Sequence, residues 1–190
     1  AAALGLDVDL QAVMKMRALL GKRRHEVKHI PSLSYKDAPA FYRMLCEKEF
    51  VTALALRFLM LTVARTSEVR FATFDEIDND VWYLAPKRTK TGREHRVPLT
   101  EEALVVLELA QNDHPDRLIF PSPTGGPLSD AAMAAFMKRE GFSARADWET
   151  KEATLGHSIG NQVERAYQRS DLLAKRTTLL SQWCDFLISH

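Results

Sequence analysis

His157 follows a glycine in the run LGHSIGNQVERAYQRSD, and Tyr167 stands ten residues later between Arg165 and Arg169. These residue types at this spacing suit phosphoryl transfer. A tyrosine hydroxyl can act as nucleophile, while imidazole and guanidinium groups stabilise an anionic phosphorus centre. A tyrosine on a short helix is also, and more often, a packing residue with its hydroxyl at the surface. The chemical reading therefore depends on further cations elsewhere in the chain, and two places supply them. Arg65 comes directly after FVTALALRFLMLTVA (50–64), apolar almost all round. An arginine held there can grip a phosphate bidentately; the plainer alternative is an ion pair with Glu68. From Lys87 to Arg96 there are five cations (Lys87, Arg88, Lys90, Arg93 and Arg96), one acid, and His95. Such a tip is either simply solvated or a finger for a DNA backbone, with Lys90 as a mobile ammonium just before the turn.

The elements that must position these groups follow from periodicity. Residues 7–20 carry apolar positions at helical spacing up to Gly21, and the basic run GKRRHEVKH (21–29) then reads as an extended linker or a plain hinge. Ser34 and Asp37 have capping-box spacing, and Pro39 suits the first turn of a helix with Phe41, Met44 and Leu45 on one face, running to about Lys48. Residues 50–64 form a helix buried in the centre of the domain. Thr66 or Ser67 caps the next helix, which Val69, Phe71 and Ala72 begin. Val81–Leu84 and Arg96–Leu99 are strands, joined by TKTGRE with the glycine of a hairpin turn. Thr100 caps a helix with Glu101 and Glu102 in its first turn and Leu104, Val105 and Leu107 facing inward, ending near Gln111. Residues 117–120 (RLIF) are expected as a short strand, and Ser129 as the cap of DAAMAAFMKR. From Leu172 to Leu187 an amphipathic helix either closes its own core or docks on a neighbouring subunit.

Composition sets the frame. The chain has 190 residues, 46% apolar and 27% charged, with a net charge of +1, so bulk charge makes no case for nucleic acid and any such case must be local. Cys46 and Cys184 lie far apart in apolar helical contexts and read as reduced core thiols, with no zinc spacing. No basic, apolar leader opens the chain, and the longest apolar stretch is too short to span a bilayer. A cytoplasmic location is expected.

Four segments together, ARTSEVR (64–70), DEIDNDVWYLAPKRTKTGREHRVPLT (75–100), LIFPSPTGGPLSD (118–130) and LGHSIGNQVERAYQRSD (155–171), resemble the catalytic domain of the tyrosine recombinases, in particular the prophage and genomic-island integrases. HEVKHIPSL (25–33) resembles the lead-in to that domain. The resemblance implies a mainly α fold with a small antiparallel β-sheet, the DNA breaking-rejoining catalytic domain. It divides the chain into an N-terminal helix and basic linker (1–29) and the catalytic domain (30–190). Arg65 matches the first catalytic arginine, Lys90 the hairpin lysine, His157 the histidine of the last box and Tyr167 the nucleophile. Lys87, Arg88, Arg93 and Arg96 would hold DNA. In that family the tyrosine attacks a phosphodiester, forms a 3′-phosphotyrosyl bond and frees a 5′-hydroxyl. The partner duplex then reverses the step with no metal, cofactor or ATP. Arg65 and His157 would each hold a non-bridging oxygen, and Lys90 would protonate the leaving oxygen. The implied partners are double-stranded DNA attachment sites, a homotetramer assembled on them, and directionality and DNA-bending factors. The implied setting is a bacterial or phage-encoded protein at the nucleoid, with no membrane.

One part of the family pattern is missing. A His-x-x-Arg box belongs between SPTGGPLS and LGH, but the chain reads KREGFSARADWETKEATLGH there, with Glu140 and Ser143 at the places of the histidine and arginine. Either the box is deleted, or the chain as written skips residues at Phe142–Ser143 and Trp148–Glu149; the second is the expectation, since insertions there restore family-like runs. The main rival is a DNA-binding module of the same fold that no longer cleaves. A DNA-relaxing topoisomerase of related chemistry fits the motifs less well.

Overall fold

Twelve residues with almost no polar side cannot lie on a surface, and Val51–Thr62 becomes the central helix, buried from Ala53 to its end. In the computed structural model the described residues are 33–90, 92–113, 117–142 and 164–189, with side chains in the last stretch from Leu173 onward. Gln11, Lys15, Met16 and Leu19 are also described and are helical, as expected for residues 7–20; the remainder of that helix, the basic linker and the junction between the two expected regions lie outside the described residues.

The described helices are α1 (Ala38–Cys46), α2 (Val51–Thr62), α3 (Thr66–Arg70), α4 (Glu101–Leu109), α5 (Ala132–Arg139) and α6 (Glu164–Ser189). The strands β1 (Ile77–Asp78), β2 (Val81–Leu84) and β3 (His95–Pro98) form one antiparallel sheet in the order β1-β2-β3. All of α1, α3, α4, α5 and α6 pack on α2. Phe58, at its middle, meets Trp82 of β2 with ring centroids 5.2 Å apart and Phe120 at 5.5 Å, which joins the sheet to the helical core. Trp82 is fully buried and its indole N–H donates to Glu76 Oε2 (3.0 Å), so the burial leaves no orphaned donor.

The sheet departs from expectation in one respect. Residues 117–120 form no strand; Leu118 makes only an isolated bridge to Thr73. The third strand is β1, joined to β2 through Asn79 and Asp80, with Asn79 in the left-handed region (φ 52°) that asparagine tolerates. The β2–β3 pair is as read, shifted by one residue: Leu84 faces His95 and Trp82 faces Val97. Pro98 sits in β3 because that strand is the edge of the sheet.

Several caps also differ. The Ser34 hydroxyl accepts from the Lys36 amide (3.3 Å) at the head of a 3-10 turn (Tyr35–Asp37), and Asp37 precedes α1 without bonding as a cap. Thr66 and Ser67 are inside α3, whose N-cap is Arg65. α5 is preceded by Ala131, with Ser129 contributing only its carbonyl, to the Ala132 amide. On α4 the inward residues are Ala103, Val106, Leu107 and, partly buried, Leu104, while Val105 is exposed; Thr100 caps it as expected, its hydroxyl accepting from the Ala103 amide (3.3 Å). Cys46 is exposed, being the last residue of α1, and only Cys184 is a core thiol. The choice left open for α6 is decided within the chain: Leu180, Cys184 and Leu187 are buried, and the Trp183 indole donates to the Met60 carbonyl (2.8 Å). No helix among the described residues is long and apolar enough to cross a membrane.

Candidate functional site

Arg65 is positioned by the break that ends the central helix. Val63 takes a left-handed conformation (φ 51°), Ala64 follows, and Arg65 turns extended (φ −82°, ψ 149°) to become the N-cap of α3. Glu68, three residues on and 2% exposed, accepts from the Arg65 amide through Oε2 (2.8 Å) and from Arg65 Nη1 through Oε1 (2.8 Å). One buried carboxylate thus completes half a capping box and fixes the guanidinium. The ion-pair alternative is realised, and it leaves a third of the Arg65 side chain open to solvent, so the pair does not close off the cation.

Arg88 ties the hairpin to the same place. Its Nε donates to Glu76 Oε1 (2.8 Å) and its Nη2 to the Glu68 carbonyl (2.9 Å), so this guanidinium is engaged inside the protein. Beyond it the chain turns through Thr89. The Thr89 hydroxyl donates to the Arg93 carbonyl (2.7 Å), and the Gly92 amide donates to the Thr89 carbonyl (3.2 Å) with Gly92 at φ +64°. Lys90 lies in this turn, exposed, as are Lys87 and Arg93. Arg96 is exposed on the outer face of β3, where it meets Glu94 (2.8 Å) and lies over the Tyr83 ring. The structure therefore leaves four of the five hairpin cations exposed and draws the fifth inward.

His95, unlike Arg96, shares the inward face of β3 with Val97. Its Nδ1 lies 3.1 Å from Arg176 Nη1 of α6, which also donates to the Arg96 carbonyl (3.4 Å). An arginine cannot accept, so the imidazole is neutral and carries its proton on Nε2. Burial, then the charge of Arg176, push its pKa down to about 4; Glu68 pulls the other way, and Arg65 adds a smaller push down. Sequence reading passed over both partners, although each left a signal. His95 is two residues before buried Val97, and Arg176 is four before buried Leu180.

A second missed cluster lies inside the core. Arg57, 6% exposed, donates from Nη2 to Glu102 Oε1 (3.0 Å), which also accepts from the Tyr42 hydroxyl (2.9 Å). Burial, with Glu102 alongside, raises the Tyr42 pKa, so the phenol stays protonated. This group joins α1, α2 and α4 and touches none of the open cations; its work is structural.

Tyr167 falls within α6, but its side chain and all of His157 lie outside the described residues. Between Phe142 and His157 the sequence holds no His-x-x-Arg box. The joins at which skipped residues were expected, Phe142–Ser143 and Trp148–Glu149, lie outside the described residues.

The phage integrase family matches residues 31–163, a span that includes Arg65, the hairpin and His157 and stops short of Tyr167. Among curated proteins the chain is similar to prophage integrase IntA of Escherichia coli K12, 29% identical over 185 residues, 84% of this chain and 45% of the relative. It is similar also to the integrase of Enterobacteria phage P4, 26% identical over 203 residues (85% and 46%), and to that of Shigella phage Sf6, 23% over 196 residues (90% and 50%). The chain spans about half the length of the curated relatives it matches. No solved structure matches it significantly.

Proposed function

Because the chain belongs to the phage integrase family, matching it over residues 31–163, we propose that it is the catalytic part of a site-specific DNA recombinase that integrates or excises a mobile element. The observation that carries this reading is Arg65: a cation fixed by a buried carboxylate at the end of the central helix, still partly open, with the basic hairpin tied beside it through Arg88. A phosphodiester approaching this face would meet Arg65 from the core side and Lys90 from the hairpin. In the proposed reaction the Tyr167 oxygen bonds to phosphorus as the bond to the 5′-oxygen breaks. Lys90 gives its proton to that leaving oxygen, and Arg65 and His157 stabilise the charge on the non-bridging oxygens. The 3′-phosphotyrosyl linkage keeps the phosphodiester energy, and a 5′-hydroxyl from a second duplex reverses the step. Lys87, Arg93 and Arg96 would track the DNA backbone. Double-stranded attachment sites as substrates, a homotetramer on DNA, accessory bending or directionality factors, a place at the nucleoid, and the boundary near residue 30 belong to the same proposal.

The absent His-x-x-Arg box sets the test. A pool of randomised duplexes, each with one nick, is incubated with the full chain and screened for DNA that remains attached after denaturation. A recombinase gives an adduct that Tyr167→Phe abolishes while binding is kept, since only the nucleophilic oxygen is removed. Binding without any adduct would instead make the chain a DNA-binding module of the same fold. An adduct surviving in Tyr167→Phe would refute the nucleophile.

A further inference from the structure

Among the described residues, the elements that carry the proposed nucleophile and the proposed acid meet in a polar contact between Arg176 and β3. Arg176 lies nine residues beyond Tyr167 on α6, about 13.5 Å along the helix at 1.5 Å per residue. It reaches β3, the strand that leads out of the Lys90 turn, through His95 Nδ1 (3.1 Å) and the Arg96 carbonyl (3.4 Å). Further along, α6 is anchored by Leu180, Cys184 and Leu187 and by the Trp183 indole. Arg176 is thus a polar contact lying between that apolar anchor and the part of the helix bearing Tyr167. It lines, with His95, Thr62 and Val63, a small cleft at the end of α2, next to the break that positions Arg65.

We propose that Arg176 is a positioning residue for the DNA-cleaving reaction, clasping the Tyr167 helix to the hairpin strand through the unprotonated His95. The proposal rests on the recombinase reading for its consequence, though not for the contact itself. Two discrete bonds fix the helix in both position and rotation, which apolar packing alone does less well. The clasp is also proton-sensitive. The charged groups acting on His95 are Arg176 from α6 and Arg65 and Glu68 around the head of α3, with Arg96 next to it on β3. A protonated imidazole loses its acceptor at Nδ1 and adds a charge facing Arg176 and Arg65, so the clasp opens in acid.

Amide hydrogen exchange on the full chain tests this, with the amides of α2 as internal reference. Arg176→Gln and His95→Phe should each raise exchange in residues 164–178 about tenfold over wild type while residues 180–189 keep their protection. His95→Gln, which retains an acceptor but does not titrate, should keep residues 164–178 protected at pH 7 and remain so at pH 4, where wild type opens. Unchanged protection in both Arg176→Gln and His95→Phe would overturn the clasp, as would His95→Gln behaving like His95→Phe. Should Arg176→Gln fail to fold, as the reference amides would reveal, the two His95 variants decide. In the nicked-duplex assay, clasp variants should slow adduct formation at least tenfold with unchanged DNA affinity. Adduct formation at the wild-type rate in all of them would overturn the positioning role. A wild-type chain that forms no adduct would sink the recombinase reading and with it that role, while the exchange result still decides the contact.

Discussion

Among single residues, the two part-buried carboxylate–arginine pairs have different consequences. Glu102 satisfies both the Arg57 guanidinium and the Tyr42 hydroxyl, and Arg57 Nε is already buried with no hydrogen-bond partner among the described residues. Glu102→Ala leaves a guanidinium uncompensated in the core and should cost about 3 kcal/mol by urea denaturation. Arg57→Met removes the buried charge along with the pair and should cost clearly less. Equal losses in the two variants would mean that the pair matters for packing and not for its charges. Glu68 is more demanding because it holds both a backbone amide and the Arg65 side chain. Glu68→Ala should cost about 2–3 kcal/mol and should also weaken any phosphate contact that Arg65 makes.

Between elements, the junction of α2 and α3 carries strain where the site is built. Val63 is 8% exposed and left-handed, a conformation that a β-branched side chain adopts only under constraint. Val63→Gly removes that strain, of order 1–3 kcal/mol, and loses apolar burial of roughly 1.5–3 kcal/mol. The two effects oppose, so stability by urea denaturation should stay within about 1 kcal/mol of wild type. Val69→Gly in α3, equally apolar, fully buried and unstrained, has no such relief and should cost more than about 2 kcal/mol. A large loss at Val63 would show that its side chain, and not its backbone, matters there. The hairpin is a second case of division within one element: Arg88 serves the fold, whereas Lys87, Lys90 and Arg93 are free to serve DNA.

For the molecule as a whole, that division predicts how salt and pH act. Removing one cation from a DNA phosphate should flatten the slope of log affinity against log salt by about 0.9. Reversing Lys87, Lys90 and Arg93 together should therefore reduce it by up to about 2.7. Arg88→Glu should instead lower thermal stability, and an unchanged slope in the triple variant would take the hairpin off the backbone. The pKa of His95 is lowered on folding, so its contribution is fully present above about 6.5 and is lost as pH falls to about 4. Over that window the unfolded chain binds a proton that the folded one refuses, which should remove up to roughly 3 kcal/mol of stability. His95→Gln should flatten this part of the stability–pH curve, and an identical curve in the variant would show that other groups govern it.

Whatever rests on neighbours along the chain was legible in the order of residues. Residues 50–64 are apolar almost all round and so had to be central. A run of β-favouring residues at Val81–Leu84 and a glycine at position 92 made a hairpin, and Glu68 at i+3 made a partner for Arg65. The four family-like segments pointed to the family. What rests on distance in space needed the packed chain. Residues 117–120 look like a strand, yet they bridge Thr73 only at Leu118, while the two residues Ile77–Asp78, too short to show a period, complete the sheet. Glu102 reads as a favourable charge at a helix start, and only packing brings Arg57 and Tyr42 to it across 45 and 60 residues. Arg88 and Arg93 are equal members of one basic run until Glu76 draws the first inward. His95 and Arg176 meet across 81 residues because β3 turns one face to the core and α6 lies against it. A local period can place a residue on a face, but which face it meets is set only when the chain closes.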